Sequence, residues 1–206
     1  VTLLGAAGLL VLVPVVLDRV VAGRTRQLQA RIAAEQAAGA AAAEREAAAF
    51  QTYLARGACG TYTLDGPVLS RFIAARYGAL VPQSVGAWRV VLDDASAVVE
   101  GVVDLQRYLG EMGMEQPASL SGYTGQEIPF RFRGRLEADH GQGRFTVDEV
   151  ALLGLPLPLD LVERVAGPSG RGGGSVLIQR FTLPDGISSV RIEDRKLVIN
   201  GDSRGP

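Results

Sequence analysis

The stretch PFRFRGRLEADHGQGRFTVDEVALL, Pro129 to Leu153, decides the fold. Phe130, Phe132, Leu136 and Ala138 take alternate places, and Arg131, Arg133, Arg135 and Glu137 take the places between them. Gly134 stands in the apolar row. Strand side chains point to opposite faces in turn, so this pattern is an antiparallel strand with one packed face and one wet face. Asp139–Gly143 supplies a turn. Phe145 and Val147 then return inward against Arg144, Thr146 and Asp148. The adjacent Asp148 and Glu149 break the alternation, which predicts a bulge or a strong twist.

Working outward, the same grammar repeats. Thr61–Leu64 reads as a strand, and Asp65-Gly66-Pro67 opens a helix with a capping Asp and a first-turn Pro. Val68, Leu69, Phe72, Ile73 and Tyr77 recur at helical spacing, with Gly78 as the stop. Two strands come next. Trp88, Val90 and Leu92 lie on one face of the first, and Val99, Gly101 and Val103 on one face of the second. Asp104 caps a short helix through Met112. Beyond the central hairpin, Pro156 and Pro158 in GLPLPLDLVERV stop ladder pairing and start a helix near Leu159. The run Gly167–Gly174 is a loop. A closing hairpin carries Val190, Ile192, Leu197 and Ile199 inward. Residues 57–206 thus form an α+β domain, a curved antiparallel sheet covered by short helices on its apolar face.

The amino end differs. Residues 1–17 carry no charge, at the short end of a transmembrane span, and Asp18-Arg19 come directly after. A cleaved signal would use Val20-Val21-Ala22, but Asp18-Arg19 would stand just before that site, so an uncleaved anchor over 1–22 fits better. Arg19, Arg24, Arg26 and Arg31 favour a cytoplasmic flank, whereas a signal anchor exports the chain on its C-terminal side. Export is the expectation: a single pass through the inner membrane with the globular part on the periplasmic or extracytoplasmic side. Residues 23–56 are rich in Ala, Glu, Gln and Arg, with few large apolar residues: Leu28, Ile32, Phe50 and Leu54. They read as a solvated helical stalk. Self-association as a coiled coil is the weaker reading, because no heptad pattern is sustained.

Composition excludes several functions. The formal net charge is −1, so there is no basic footprint for nucleic acid. One Cys and one His leave little for disulfides, zinc or His-based catalysis. Cys59 reads as a small buried or interfacial residue, and His140 as a solvated turn residue. No pattern brings two carboxylates into one pocket, and the Gly-rich loop lacks the Lys-Ser/Thr of a phosphate loop. The expectation is no catalytic residues, no metal, no cofactor and no enzyme.

What remains is surface and grease. Leu153, Leu155, Leu157 and Leu159, with Met112 and Met114, either complete the core or line a lipid groove. Arg131, Arg133 and Arg135 form either a solvated face or a cationic patch for anionic headgroups, unless neighbours such as Asp148 or Glu137 neutralise them. Three segments, PFRFRGRLEADHGQGRFTVDEVALLG, GLPLPLDLVERV and FTLPDGISSVRIEDRKLVING, resemble the LmeA-like family of phospholipid-binding bacterial envelope proteins. The resemblance covers about Trp88 to Asn200, plus the exported amino end. It implies a TULIP-like, lipid-cradling fold at the outer side of the inner membrane, and it transfers no catalytic residues. The expected function is a membrane-anchored envelope protein that binds a phospholipid or other hydrophobic ligand between sheet and helices. The alternative is a non-enzymatic assembly subunit that uses the same surface for a protein partner.

Overall fold

The computed structural model describes residues 3–111, 125–166 and 177–201, with side chains for 20–76, 78–79, 81–111, 125–163 and 177–201. In chain order the elements are α1 (Leu3–Ala38), α2 (Ala40–Ala55), β1 (Thr61–Leu64), α3 (Gly66–Tyr77), β2 (Val85–Asp93), β3 (Ser96–Asp104) and α4 (Leu105–Glu111). Then come β4 (Glu127–Asp139), β5 (Gln142–Leu152), β6 (Leu155–Leu157), α5 (Leu159–Ala166), β7 (Ile178–Thr182), β8 (Ile187–Glu193) and β9 (Lys196–Gly201).

The central hairpin forms as its alternation requires. β4 and β5 pair from Phe130↔Leu152 to Asp139↔Gln142. The turn is tighter than Asp139–Gly143: only His140 and Gly141 are unpaired, both at positive φ, the backbone of a two-residue hairpin turn that matches strand twist. The expected bulge is present. Arg133 faces Glu149 while Gly134 faces Val147, leaving Asp148 as the extra residue. Gly134 is required in the apolar row. A Cβ there would lie 2.5 Å from the Thr146 carbonyl oxygen and 2.6 Å from the Phe145 ring.

β4 also organises the rest of the antiparallel sheet, which has nine strands among the described residues. One of its edges carries β5 along nearly the whole length; the other carries β3 first and then, at Ala138 and Asp139, β8. The path β1-β9-β8-β4-β3-β2 runs through this branch, and β6 and β7 share the outer edge of β5. Pro156 therefore does not end pairing. It sits opposite Ala151 in the edge strand β6, where a missing N–H costs nothing on the open side. The other local signals hold. Asp65 accepts from the Val68 N–H at 2.9 Å, Asp104 accepts from the Arg107 N–H at 3.0 Å, and Val190, Ile192, Leu197 and Ile199 are buried.

The helical segment departs from the sequence reading of a solvated stalk. Val21, Thr25, Ile32, Ala43, Ala47 and Phe50 are buried, and Ile32 has 0% of its surface exposed. The physical reason lies in β3, which is apolar on both rows. Val99, Gly101 and Val103 make one row; Val98 and Val102 stand on the other beside Glu100. α1 contacts β4, β3 and β2, and its side chains reach Glu127 and Arg89. By register, both partners share the row of Val98, Glu100 and Val102, and Val102 is fully buried. α2 and α3 serve the opposite row, where Ala43, Ala47, Phe50 and Val68 join Val90, Leu92, Ala97 and Ala138. Helices therefore engage both rows of the sheet, not one. Gly39 is the joint between α1 and α2. Beside it, Gln36 of α1 donates to the Trp88 carbonyl at 3.2 Å, and Ser70 Oγ of α3 accepts from the Val90 N–H at 2.8 Å, so side chains from α1 and α3 satisfy the β2 edge.

Among the described residues no helix is long and apolar enough to cross a membrane. The side chains of residues 1–19, where the anchor is expected, lie outside that set. α1 runs as one helix from Leu3 through Ala38, so no break separates the expected anchor from the segment that packs on the sheet.

Candidate functional site

The leucines expected to line a groove are gathered, but at an edge. Leu153 and Gly154 form the two-residue turn between β5 and β6, with φ of 57° and 78°. A leucine in left-handed backbone costs about 1–2 kcal/mol. The half-buried Leu153 side chain offsets this by packing against the cluster of Val21, Val103, Leu105, Leu109, Ile128 and Phe130. Leu155 points outward, 65% exposed, and Leu157 and Leu159 are half-buried along β6 and the start of α5. The apolar rows of the sheet, where a groove was expected, are occupied by the chain's own helices. Met112 and Met114 lie outside the described residues.

The arginine row is paired throughout. Arg131 lies 3.9 Å from Glu149, Arg133 lies 2.9 Å from Asp93 and donates to Ser96 Oγ, and Arg135 donates to both oxygens of Asp148 at 3.0 and 3.1 Å. Asp148 is the bulged residue, so the bulge aims its carboxylate at Arg135. Hydrogen bonds from Arg135 to Asp148 raise the guanidinium pKa further above its ordinary value. Glu137 takes Arg144 instead, whose hydrogen bond holds the Glu137 carboxyl below its ordinary range. Each cation meets a carboxylate, so the row offers a charge-balanced face.

A cleft of about 640 Å³ opens where α1 meets α2, beside α3 and β2. Its polar lining includes Arg31, Arg71, Arg89, Arg195, Glu35 and Asp65. Arg89 is buried and held between the Glu35 and Glu100 carboxylates, with Nε 2.7 Å from Glu100. In sequence Arg89 alternates with Trp88, Val90 and Leu92, and nothing in that pattern shows the triad. Glu100 was legible, since it and Arg89 are equidistant from the Asp94-Ala95 turn. Glu35 was not, because nothing local points from a helix to a strand so distant in sequence. Two tyrosines also anchor by burial. Tyr53 Oη lies 3.0 Å from the Ala58 carbonyl and 2.9 Å from that of Gly60, and Tyr108 packs against the cluster of Val21, Leu105 and Phe130; burial raises both phenol pKa values.

Chemistry is sparse. Among the described residues no group of three or more His, Cys, Asp or Glu is placed to hold a metal ion. Cys59 is exposed, so of the two expected places, buried or interfacial, burial is excluded; its neighbour Ala58 is the residue that fills the core. His140 is exposed in its turn, 2.8 Å from Asp139. Comparison with family models, curated proteins and solved structures finds no match for the chain.

Proposed function

We propose that this chain is a membrane-tethered, non-enzymatic envelope protein that works as an assembly subunit, presenting surfaces to partners rather than carrying a ligand inside. The observation that carries this reading is the helix cover on the sheet: Phe50 and Val68 pack on an apolar row that a lipid cradle would leave open, and Ile32 is buried on α1. A partner-binding protein needs no cavity, only a stable body with accessible apolar or polar patches. The tether is supported by the uncharged run 1–17 at the head of a continuous α1.

A second reading, lipid binding, draws support from the cleft at the α1–α2 joint, whose volume falls within the usual range of ligand pockets. Its lining sets those charges beside Ile32, Ala43, Trp88, Val90 and Leu92, which suits an amphipathic ligand. Native mass spectrometry of the full chain released from detergent separates the two. The assembly reading predicts a bare chain or a complex with another polypeptide. A stoichiometric lipid that survives release overturns it in favour of lipid binding.

A further inference from the structure

Of the large apolar side chains that stand exposed among the described residues, Val20 and Leu155 lie at one end of the molecule, and Leu161 lies on α5, which follows β6. Val20 is 46% exposed, Leu155 65% and Leu161 40%. The β5–β6 turn is fastened to α1 beside Val20. Arg24 Nη1 donates to the Leu153 carbonyl at 3.3 Å, and Thr25 Oγ1 lies 3.1 Å from the Glu127 carbonyl. Val21 is buried in the cluster against which Leu152 and Leu153 pack. From this junction α1 continues toward its N-terminus, through Arg19 and Asp18 and into the uncharged run.

We propose that the β5–β6 turn and α5 rest in the interfacial layer of the same bilayer that α1 enters, so that Val20, Leu155 and Leu161 face lipid. The inference rests on the tether reading and adds the orientation of the domain on the membrane. Leu17, the last residue of the uncharged run, precedes Val20 by about 4.5 Å of helix rise. The polar layer on each side of a bilayer is about 5–7 Å thick. Val20 therefore lies at headgroup depth if Leu17 ends the hydrocarbon span, and the turn fastened beside it lies near the same depth. Asp18 and Arg19 then fall among headgroups, where Arg is favoured by anionic lipid. α5 is amphipathic: it sets Leu159, Leu161 and Val162 against Asp160 and Glu163 within two turns. In water the same side chains would stay uncovered, whereas a bilayer surface buries them without any further change in the fold.

The test uses the full chain with Cys59→Ser, carrying one new cysteine at a time: Leu155→Cys, Leu161→Cys or His140→Cys. His140 ends the other side of the hairpin, about 30 Å from the β5–β6 turn at strand rise. Each variant is labelled with an environment-sensitive fluorophore and reconstituted into phosphatidylcholine–phosphatidylglycerol vesicles containing headgroup-level nitroxide lipid. The expected result is quenching several-fold stronger at 155 and 161 than at 140. If the protein floats with the vesicles but all three sites are quenched alike, the orientation is wrong and the tether stands. Labels at 155 and 161 that are shielded from water yet not quenched place a protein or a second copy on this edge, and also overturn the proposal. A chain that does not float with vesicles removes the tether, and this inference with it.

Discussion

The β4–β5 hairpin and the α1–α2 segment both belong to the folded core, and they are held there by different means. The hairpin is held along its whole length. Each residue of β4 from Phe130 to Asp139 has a cross-strand partner on β5, and the wet row is tied by ion pairs on its surface. The helical segment is held at points: Val21, Thr25 and Ile32 on α1, then Ala43, Ala47 and Phe50 on α2, with exposed alanines and charges between. Continuous pairing spreads the energy over many small contributions, so single surface losses matter little. Point attachment concentrates it, so one side chain carries a whole stretch of helix. At Ala43 and Ala47 the small side chains let the α2 backbone approach its neighbours closely.

The contrast is tested most severely at Ile32. Ile32→Ala removes the largest fully buried side chain of α1 and should destabilise the full chain by about 3 kcal/mol, within the range for buried Ile→Ala. Leu28→Ala, half-buried on the same helix, should cost less than half as much. Denaturant titration in detergent, monitored by near-ultraviolet circular dichroism of Trp88, measures both; equal effects would deny point attachment. Next comes Arg89→Leu, which leaves Glu35 and Glu100 facing each other without their cation. About 2–4 kcal/mol should be lost, and Glu35→Gln with Glu100→Gln in the same chain should recover part of it. The hairpin is challenged at Gly134→Ala, where a Cβ meets backbone; about 1–3 kcal/mol is expected from the forced shift. The smallest effect is at Glu137→Gln. The Glu137 carboxyl titrates below its ordinary value when folded, so its contribution is present above the unfolded pKa and lost as pH falls through the folded one. The group is fully exposed, so the midpoint at neutral pH should stay within error and only the acid limb should flatten. A clear loss at neutral pH would mean that the surface row is not held by many small, screened contributions.

Legibility in the sequence divides the same way. The hairpin, its bulge at Asp148, the Asp65 and Asp104 caps and the closing hairpin are readable because strand period and capping act over a few residues. The Leu153-Gly154 turn is hidden by a leucine in a conformation that glycine or asparagine usually takes. The burial of residues 21–50 is hidden because alanine gives almost no hydrophobic stripe. Yet a signal exists. Val98 and Val102 make β3 apolar on both rows, and a strand buried on both faces needs a cover on each. Of the candidate site, Leu153, Leu155, Leu157 and Leu159 do come together, at the edge of the sheet. The Arg131, Arg133 and Arg135 row is readable, and so is its neutralisation by Asp148. The Arg89 triad is not, because Glu35 arrives through tertiary packing.

If the helical segment is part of the fold and not a stalk, its removal must be felt throughout the sheet. Amide hydrogen exchange on the full chain, beside chains beginning at Val20 and at Gly57, measures this. The expected result is that β2, β3 and β9 are protected alike in the first two, and that the chain from Gly57 loses protection throughout and binds a hydrophobic dye. A chain from Gly57 with the protection pattern of the full chain and cooperative unfolding would return residues 23–56 to the role of a stalk.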